Sequence, residues 1–366
     1  MSNSRFLRDS MLSLSIPTRD SEYYISDGNT VLLVENILFK VHRSTLTKDK
    51  STFDTMFSLP SDSSSDSSMS VGPEGESDDN PIRLQGDTAE EFRALLWALY
   101  ALPNELMVAM TDDANCIQLL HIARIAHKYQ FKSIETWAST ALSRYYARIG
   151  AFEGLSTLTN DNDDANTPSL TQITELAGLC ENRELLEAAV DKWKRLVSEG
   201  KDVALAIGLA ERLNIRPLLG LAYHSMMLNG KAHWDSEPLL ARNQKVRLFA
   251  GYYSLSKLWE SMPSQTPSLV HSVRCTSQQR CNRSWAQLWR LILEKGTGIL
   301  PLQTGDVLGK LMLAESCMKA IVEGEFLSAG IAFDDVPCCK ENALAATSAK
   351  VIEVRENLAD HFTDDF

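Results

Sequence analysis

The side chains best suited to chemistry lie in two short runs of the C-terminal third. The run HSVRCTSQQRC supplies His271, Cys275 and Cys281, and VPCCKEN supplies Cys338 and Cys339. A zinc ion takes four nitrogen or sulfur ligands in a tetrahedron, commonly as two pairs brought together by the fold. His271, Cys275, Cys281 and Cys338 would make such a set. Cys339 is the alternative to Cys338, because adjacent cysteines do not easily both face one ion. Five residues separate Cys275 from Cys281, wider than the usual two to four. Zinc held this way would be structural, since nothing suggests an open coordination position or a general base. The competing reading is ordinary packing: free cysteine is among the most buried residue types, and these thiols sit where helices begin.

Elsewhere the sequence offers little to a reaction. It has no Gly-x-x-x-x-Gly-Lys-Ser/Thr loop, no His-Glu-x-x-His pair and no Gly-x-Ser-x-Gly elbow. The polar run TNDNDDANTP (159–168) fits no calcium loop, because no frame joins early acidic ligands to a sixth-position Gly and a twelfth-position Glu. No catalytic residue is assigned, and the chain is read as a non-enzyme. Ser63, with Asp66 three residues on, resembles an acidic-directed phosphorylation site; a plain solvated insert is the competing reading.

The chain has 366 residues, 44% of them hydrophobic, enough for two or three domains. Its net charge of -12 argues against direct nucleic-acid binding, which calls for a basic surface. Lys192, Lys194 and Arg195 fall within a helical pattern and read as its solvated face. No apolar run is long enough to cross a bilayer, and Arg8 and Asp9 interrupt the sole stretch that could serve as a signal peptide. Seven cysteines, an odd number, suit reduced thiols in the cytosol or nucleus.

The elements that would carry these residues follow from periodicity. Residues 1–20 are Ser-rich and expected to be flexible. After the Asp27–Gly28 turn, TVLLV (30–34) and ILFKVHR (37–43) flank a polar break and predict a β-hairpin. Phe53, Met56 and Phe57 share one face of a helix that begins at Ser51 and ends near Pro60. Residues 60–80 hold eight serines and six acidic residues with no Lys or Arg. Such a segment buries too little apolar surface to offset its ordering entropy and predicts a disordered insert. PIRL (81–84) predicts a third strand. Thr88 and Glu91 form a capping box for a helix whose stripe is Phe92, Leu95, Leu96 and Leu99. A helix pair bent near Tyr129–Gln130 follows, then a linker over 148–168. From Ser169, a second capping-box residue, the pattern is helical, with helices near 169–180, 184–198, 202–213, 216–229, 244–260, 281–295, 304–325 and 341–361. An offset of 84 residues relates Ala126 to Ala210, Tyr129 to Leu213 and Phe131 to Ile215, from shared helix-hairpin grammar or a true repeat.

Several of these runs, taken in order, resemble the BTB/POZ family: DGNTVLLVENILFKVHRSTL, then STFDTMF, then PIRLQGDTAEEFRALLWALYAL, then LLHIARIAHKYQFKSI. The resemblance covers about a third of the chain and is greatest to fungal-type members with an acidic insert and a helical C-terminal part. It implies an α+β domain at 21–147, a small sheet with surrounding helices, followed by a mostly α-helical region at 169–366. That region would divide into a BACK-like part, 169–235, and a cysteine-containing part, 236–366. It also implies interaction residues at Asn29, Phe39, His42 and Arg43, with Asn29 where many members carry an Asp facing the Arg at the dimer seam. The implied function is protein binding, as an adaptor, with a homodimer and a cullin ubiquitin-ligase scaffold as partners and no nucleic acid or membrane. A transcriptional co-regulator acting through partners is the alternative.

Overall fold

A computed structural model describes residues 16–59, 74–148, 150, 152–158, 167–295, 305–324 and 338–364. The chain divides into two compact units, Met1–Ala189 and Val190–Phe366.

The first unit is built on a four-stranded mixed sheet. Its strands are β1 (Thr18–Tyr24), β2 (Thr30–Val34), β3 (Ile37–Val41) and β4 (Ile82–Leu84), in the spatial order β1-β3-β2-β4. The expected hairpin is β2–β3, antiparallel from Thr30↔Val41 to Val34↔Ile37. The polar break between the runs is a two-residue turn, in which Glu35 takes a positive φ. Strands β1 and β4 both run parallel to their neighbours. The helices of this unit are α1 (Arg43–Leu46), α2 (Thr52–Ser58), α3 (Ala89–Tyr100), α4 (Pro103–Val108), α5 (Cys116–Tyr129), α6 (Lys132–Tyr146) and α7 (Leu170–Leu179). Leu32, Val34, Phe39, Phe53, Phe92, Leu95 and Phe131 meet in one core. The capping box of Thr88 and Glu91 is formed at α3, and that of Ser169 and Gln172 at α7.

Two expectations for this unit are corrected. Residues 18–20, expected to be flexible, begin β1, and the buried Asp20 carboxylate anchors them; residues 1–15 lie outside the described residues. Residues 74–80, expected to be disordered, lie against the sheet. Val31 N–H donates to the Gly75 carbonyl (2.7 Å), Gly75 N–H to the Asn80 carbonyl (2.7 Å), and Asp78 accepts from Arg19 (2.8 Å) and Tyr24 (2.5 Å). Backbone pairing and an ion pair here offset the entropy that composition alone suggests is too costly. Residues 60–73, Ser63 among them, lie outside the described residues.

Helix α8 (Arg183–Ser198) runs across the division between the units, which therefore falls inside a helix and not in the 148–168 stretch. Part of that stretch is packed in the first unit. Phe152 is buried against Tyr146, with ring centroids 4.8 Å apart, and Leu170 N–H donates to Ser156 O.

The second unit is helical: α9 (Val203–Arg212), α10 (Arg216–Leu228), α11 (Lys231–Ser236), α12 (Arg242–Ser261), α13 (Gln278–Lys295), α14 (Val307–Glu323) and α15 (Lys340–Glu356), followed by a 3₁₀ turn at Leu358–His361. The expected subdivision at residue 235 is not seen. Helix α10 packs on α12, α15 and the 358–361 turn, and Tyr223 stacks on Phe362 with centroids 5.1 Å apart. Small residues permit this approach: a Cβ at Gly220 would lie 2.5 Å from Ala359 N, and one at Gly251 would lie 2.0 Å from the Phe362 ring.

The 84-residue echo has a local cause. Gln130 and Asn214, 84 apart, both take positive φ, and each turn closes with the same bonds, Phe131 N–H to Ala126 O and Ile215 N–H to Ala210 O. Glu181 repeats the turn after α7, with Asn182 N–H bonded to Ala177 O. Gly200 repeats it again after α8, with Lys201 N–H bonded to Leu196 O. Four such turns at unequal spacing among the described residues are helix-hairpin grammar, each closing a helix with one left-handed residue. No helix among the described residues is long and apolar enough to cross a membrane.

Candidate metal centre

Helix α12 gives way at Met262–Ser264 to a single 3₁₀ turn, and the chain then runs without regular structure to Gln278. Helix α13 holds this stretch through two buried tryptophans. Trp289 Nε1 donates to Met262 O (3.0 Å) and Trp285 Nε1 to Pro267 O (2.8 Å). The stripe Trp285, Leu288, Trp289, Ile292 and Leu293 is buried, as its helical spacing predicts. From the other side, Asn342 of α15 donates to Val270 O (2.6 Å), and Ser272 N–H points to Cys339 Sγ (3.4 Å). The stretch is thereby tied to the starts of both α13 and α15.

This framing gathers donors far apart in sequence. The ligand atoms of His271, Cys275, Cys281 and Cys339 all lie within 4.8 Å of one another. His271 Nδ1 is 3.6 Å from Cys275 Sγ and 3.8 Å from Cys339 Sγ. Tetrahedral zinc with Zn–S near 2.3 Å sets ligand atoms about 3.8 Å apart, so the group could hold a metal ion with small side-chain adjustments. Cys281 lies in the first turn of α13 and Cys339 is the N-cap of α15. Both positions carry the positive end of a helix dipole, which favours thiolate.

The fourth donor differs from the sequence expectation, which took Cys338. Cys339 is buried within the group, whereas Cys338 is exposed at its rim, 3.3 Å from Cys275 Sγ and 3.9 Å from Cys339 Sγ. The turn that starts α15 decides which of two neighbours points inward, and spacing alone carries no such information. Burial raises the Cys339 thiol, but the backbone N–H of Ser272, the His271 ring, the Ser272 hydroxyl and Cys275 outweigh it and bring the thiol down to about 6. Burial pushes the Cys281 thiol up. His271 Nε2 is enclosed without a hydrogen-bond partner among the described residues.

A second group, His127, Glu135 and Cys180, escaped the sequence reading. Glu135 lies eight positions after His127, but the left-handed Gln130 turn folds the last turn of α5 onto the first turn of α6. His127 Nδ1 lies 3.2 Å from one Glu135 oxygen and Lys132 Nζ 2.9 Å from the other. Both carboxylate oxygens are engaged, which makes this a buried-charge cluster. The bend at Gln130 was the available signal.

The four residues expected at an interaction surface separate. Phe39 is fully buried, edge-on to Phe92 with centroids 5.0 Å apart, and is a core residue; its place on β3 faces it inward. The other three stay together at the open end of the hairpin. Arg43 N–H donates to Asn29 Oδ1 (2.8 Å), and the Arg43 guanidinium lies over the Phe57 ring (4.4 Å). His42 is half-buried, with Nδ1 3.0 Å from the Tyr100 hydroxyl and Nε2 3.4 Å from Asp27. Asn29 thus meets the Arg43 backbone, while the guanidinium turns to Phe57.

Compared with protein-family models, curated proteins and solved structures, the chain matches none.

Proposed function

We propose that the chain is an intracellular protein-interaction protein, an adaptor and not an enzyme, that acts through a BTB/POZ-type module at residues 18–147. One observation carries this reading. β4, reached after the 60–80 stretch, pairs in parallel with β2 and leads through the Thr88 cap into α3 and then the α5–α6 hairpin. Hairpin, helix, strand, capped helix and helix pair is the order that the family resemblance implies. The Asn29, His42 and Arg43 corner is the proposed self-association surface, and a cullin ubiquitin-ligase scaffold is the proposed further partner.

The test uses the full chain. Light scattering gives its mass, and proteins that co-purify from cells are identified by mass spectrometry. The expected result is a dimer, weakened by Arg43→Glu and tightened by Asn29→Asp, together with recovery of a cullin scaffold. A monomer insensitive to both changes, with no cullin recovered, would overturn the proposal.

The geometry of His271, Cys275, Cys281 and Cys339 favours a second reading alongside the first: these residues hold a structural zinc ion that ties the 265–277 stretch to the starts of α13 and α15. Three thiols and an imidazole are a usual structural zinc set, with every position filled by protein. Elemental analysis of the purified chain is expected to give one zinc per chain. A chain that neither carries zinc nor takes it up sinks this reading.

A further inference from the structure

The zinc reading uses four donors, yet the cluster holds five. Cys338 is the surplus one. It is exposed, with its sulfur 3.3 Å from that of Cys275 and within hydrogen-bond reach of Cys281. A disulfide needs sulfurs about 2.05 Å apart, so little more than 1 Å of closure separates the Cys275–Cys338 pair from a bond. Cys339 is a poorer partner for Cys338, being 3.9 Å away and adjacent in sequence. Of the thiols in this cluster, Cys338 is the one that faces solvent; Cys281 and Cys339 are buried and Cys275 is half-buried.

We propose that Cys338 makes the metal centre peroxide-sensitive, by exchanging a zinc–thiolate bond at Cys275 for a Cys275–Cys338 disulfide. The inference rests on the zinc reading above. Hydrogen bonds with Cys275 and Cys281 push the Cys338 thiol up, so its proton passes to the departing oxygen as its sulfur attacks a hydroperoxide. An S–O bond forms, the O–O bond breaks, and the leaving oxygen departs as water when the oxidant is hydrogen peroxide. The product is a sulfenic acid at Cys338. The Cys275 thiolate then leaves zinc and attacks that sulfur. An S–S bond forms, the S–O bond breaks, and hydroxide departs and is protonated to a second water. Two thiols lose two electrons in all, and one peroxide gains them. Zinc keeps three protein ligands, His271, Cys281 and Cys339, and is bound more weakly. The 265–277 stretch is then joined to residue 338 covalently in place of the metal.

The test loads the full chain with zinc alone, adds hydrogen peroxide, and follows released metal with a chromogenic chelator while alkylation and peptide mapping locate disulfides. The expected result is one zinc released per chain as the Cys275–Cys338 linkage appears. Because Cys338 is exposed, Cys338→Ser is expected to fold, bind one zinc and release it at least ten-fold more slowly. Release from Cys338→Ser at the wild-type rate, or a disulfide that omits Cys338, overturns the proposal. Loss of zinc binding in Cys338→Ser overturns it too, because Cys338 would then be a ligand. A wild-type chain that takes up no zinc fails at the earlier step and identifies the metal reading as the one at fault.

Discussion

The Asp20 side chain is fully enclosed and still ionised, because three donors converge on it: Tyr23 N–H (2.8 Å), Glu22 N–H (3.0 Å) and Arg93 Nε (2.7 Å). Burial raises its carboxyl, and these bonds outweigh burial and leave it below the ordinary value near 3.8. A depressed native value means that the stabilisation is complete above about pH 4 and is lost as pH falls through the native value. Asp20→Asn is therefore expected to lower the denaturant midpoint at pH 7, with the gap from wild type closing below pH 4. Asp20→Ala, which strands the buried Tyr23 N–H, is expected to cost about 3 kcal/mol. Asp20 was not legible in the sequence. TRDSEYY shows no clean alternation, since β1 buries only Asp20 and Tyr23, three residues apart. The hairpin was legible, because every residue of β2 is buried and two apolar runs flank a short polar break. At the candidate centre, His271, Cys275 and Cys281 were legible as donors, while the choice of Cys339 over Cys338 depends on a turn at residues 338–339. Cys275→Ser is expected to abolish stoichiometric zinc, with elemental analysis as the check.

At the scale of elements, helix propensity and packing make opposite forecasts for Gly220. In a helix interior Ala is favoured over Gly by about 1 kcal/mol. A methyl group at residue 220 of α10, however, would press into the backbone at Ala359 and the side chain of Leu358. Backbone cannot swing aside as a long side chain can, so overpacking wins and Gly220→Ala is expected to destabilise by about 1–3 kcal/mol; chemical denaturation measures the sign. Trp289 of α13 fills a buried site and holds Met262 O. Its change to Ala is expected to cost about 3–5 kcal/mol and to loosen the 265–277 stretch, weakening zinc binding though no ligand is touched. Protein stability and zinc affinity, measured separately on this variant, test both parts. Most of the helices were legible because their apolar stripes are long. Short α1, α4 and α11 were not, having too few turns to show a period.

At the scale of the whole molecule, the candidate centre belongs to Val190–Phe366 and the sheet to Met1–Ala189. Removing zinc with a chelator is expected to speed amide hydrogen exchange at residues 265–281 and 338–345 and to leave residues 18–147 unchanged. Equal loss of protection in both regions would mean that the ion supports more than its own unit. The second unit is also closed by contacts very distant in sequence: Arg216 on α10 pairs with Asp360, 144 residues later. At roughly 5–20 residues per second of synthesis, Arg216 is made roughly 7–30 s before its partner. Through that interval the α10 face that will hold Leu358 and Phe362 is uncovered on the ribosome. This places the nascent chain's exposure to chaperones and proteases in the second unit, and makes residues 358–362 the step that ends it.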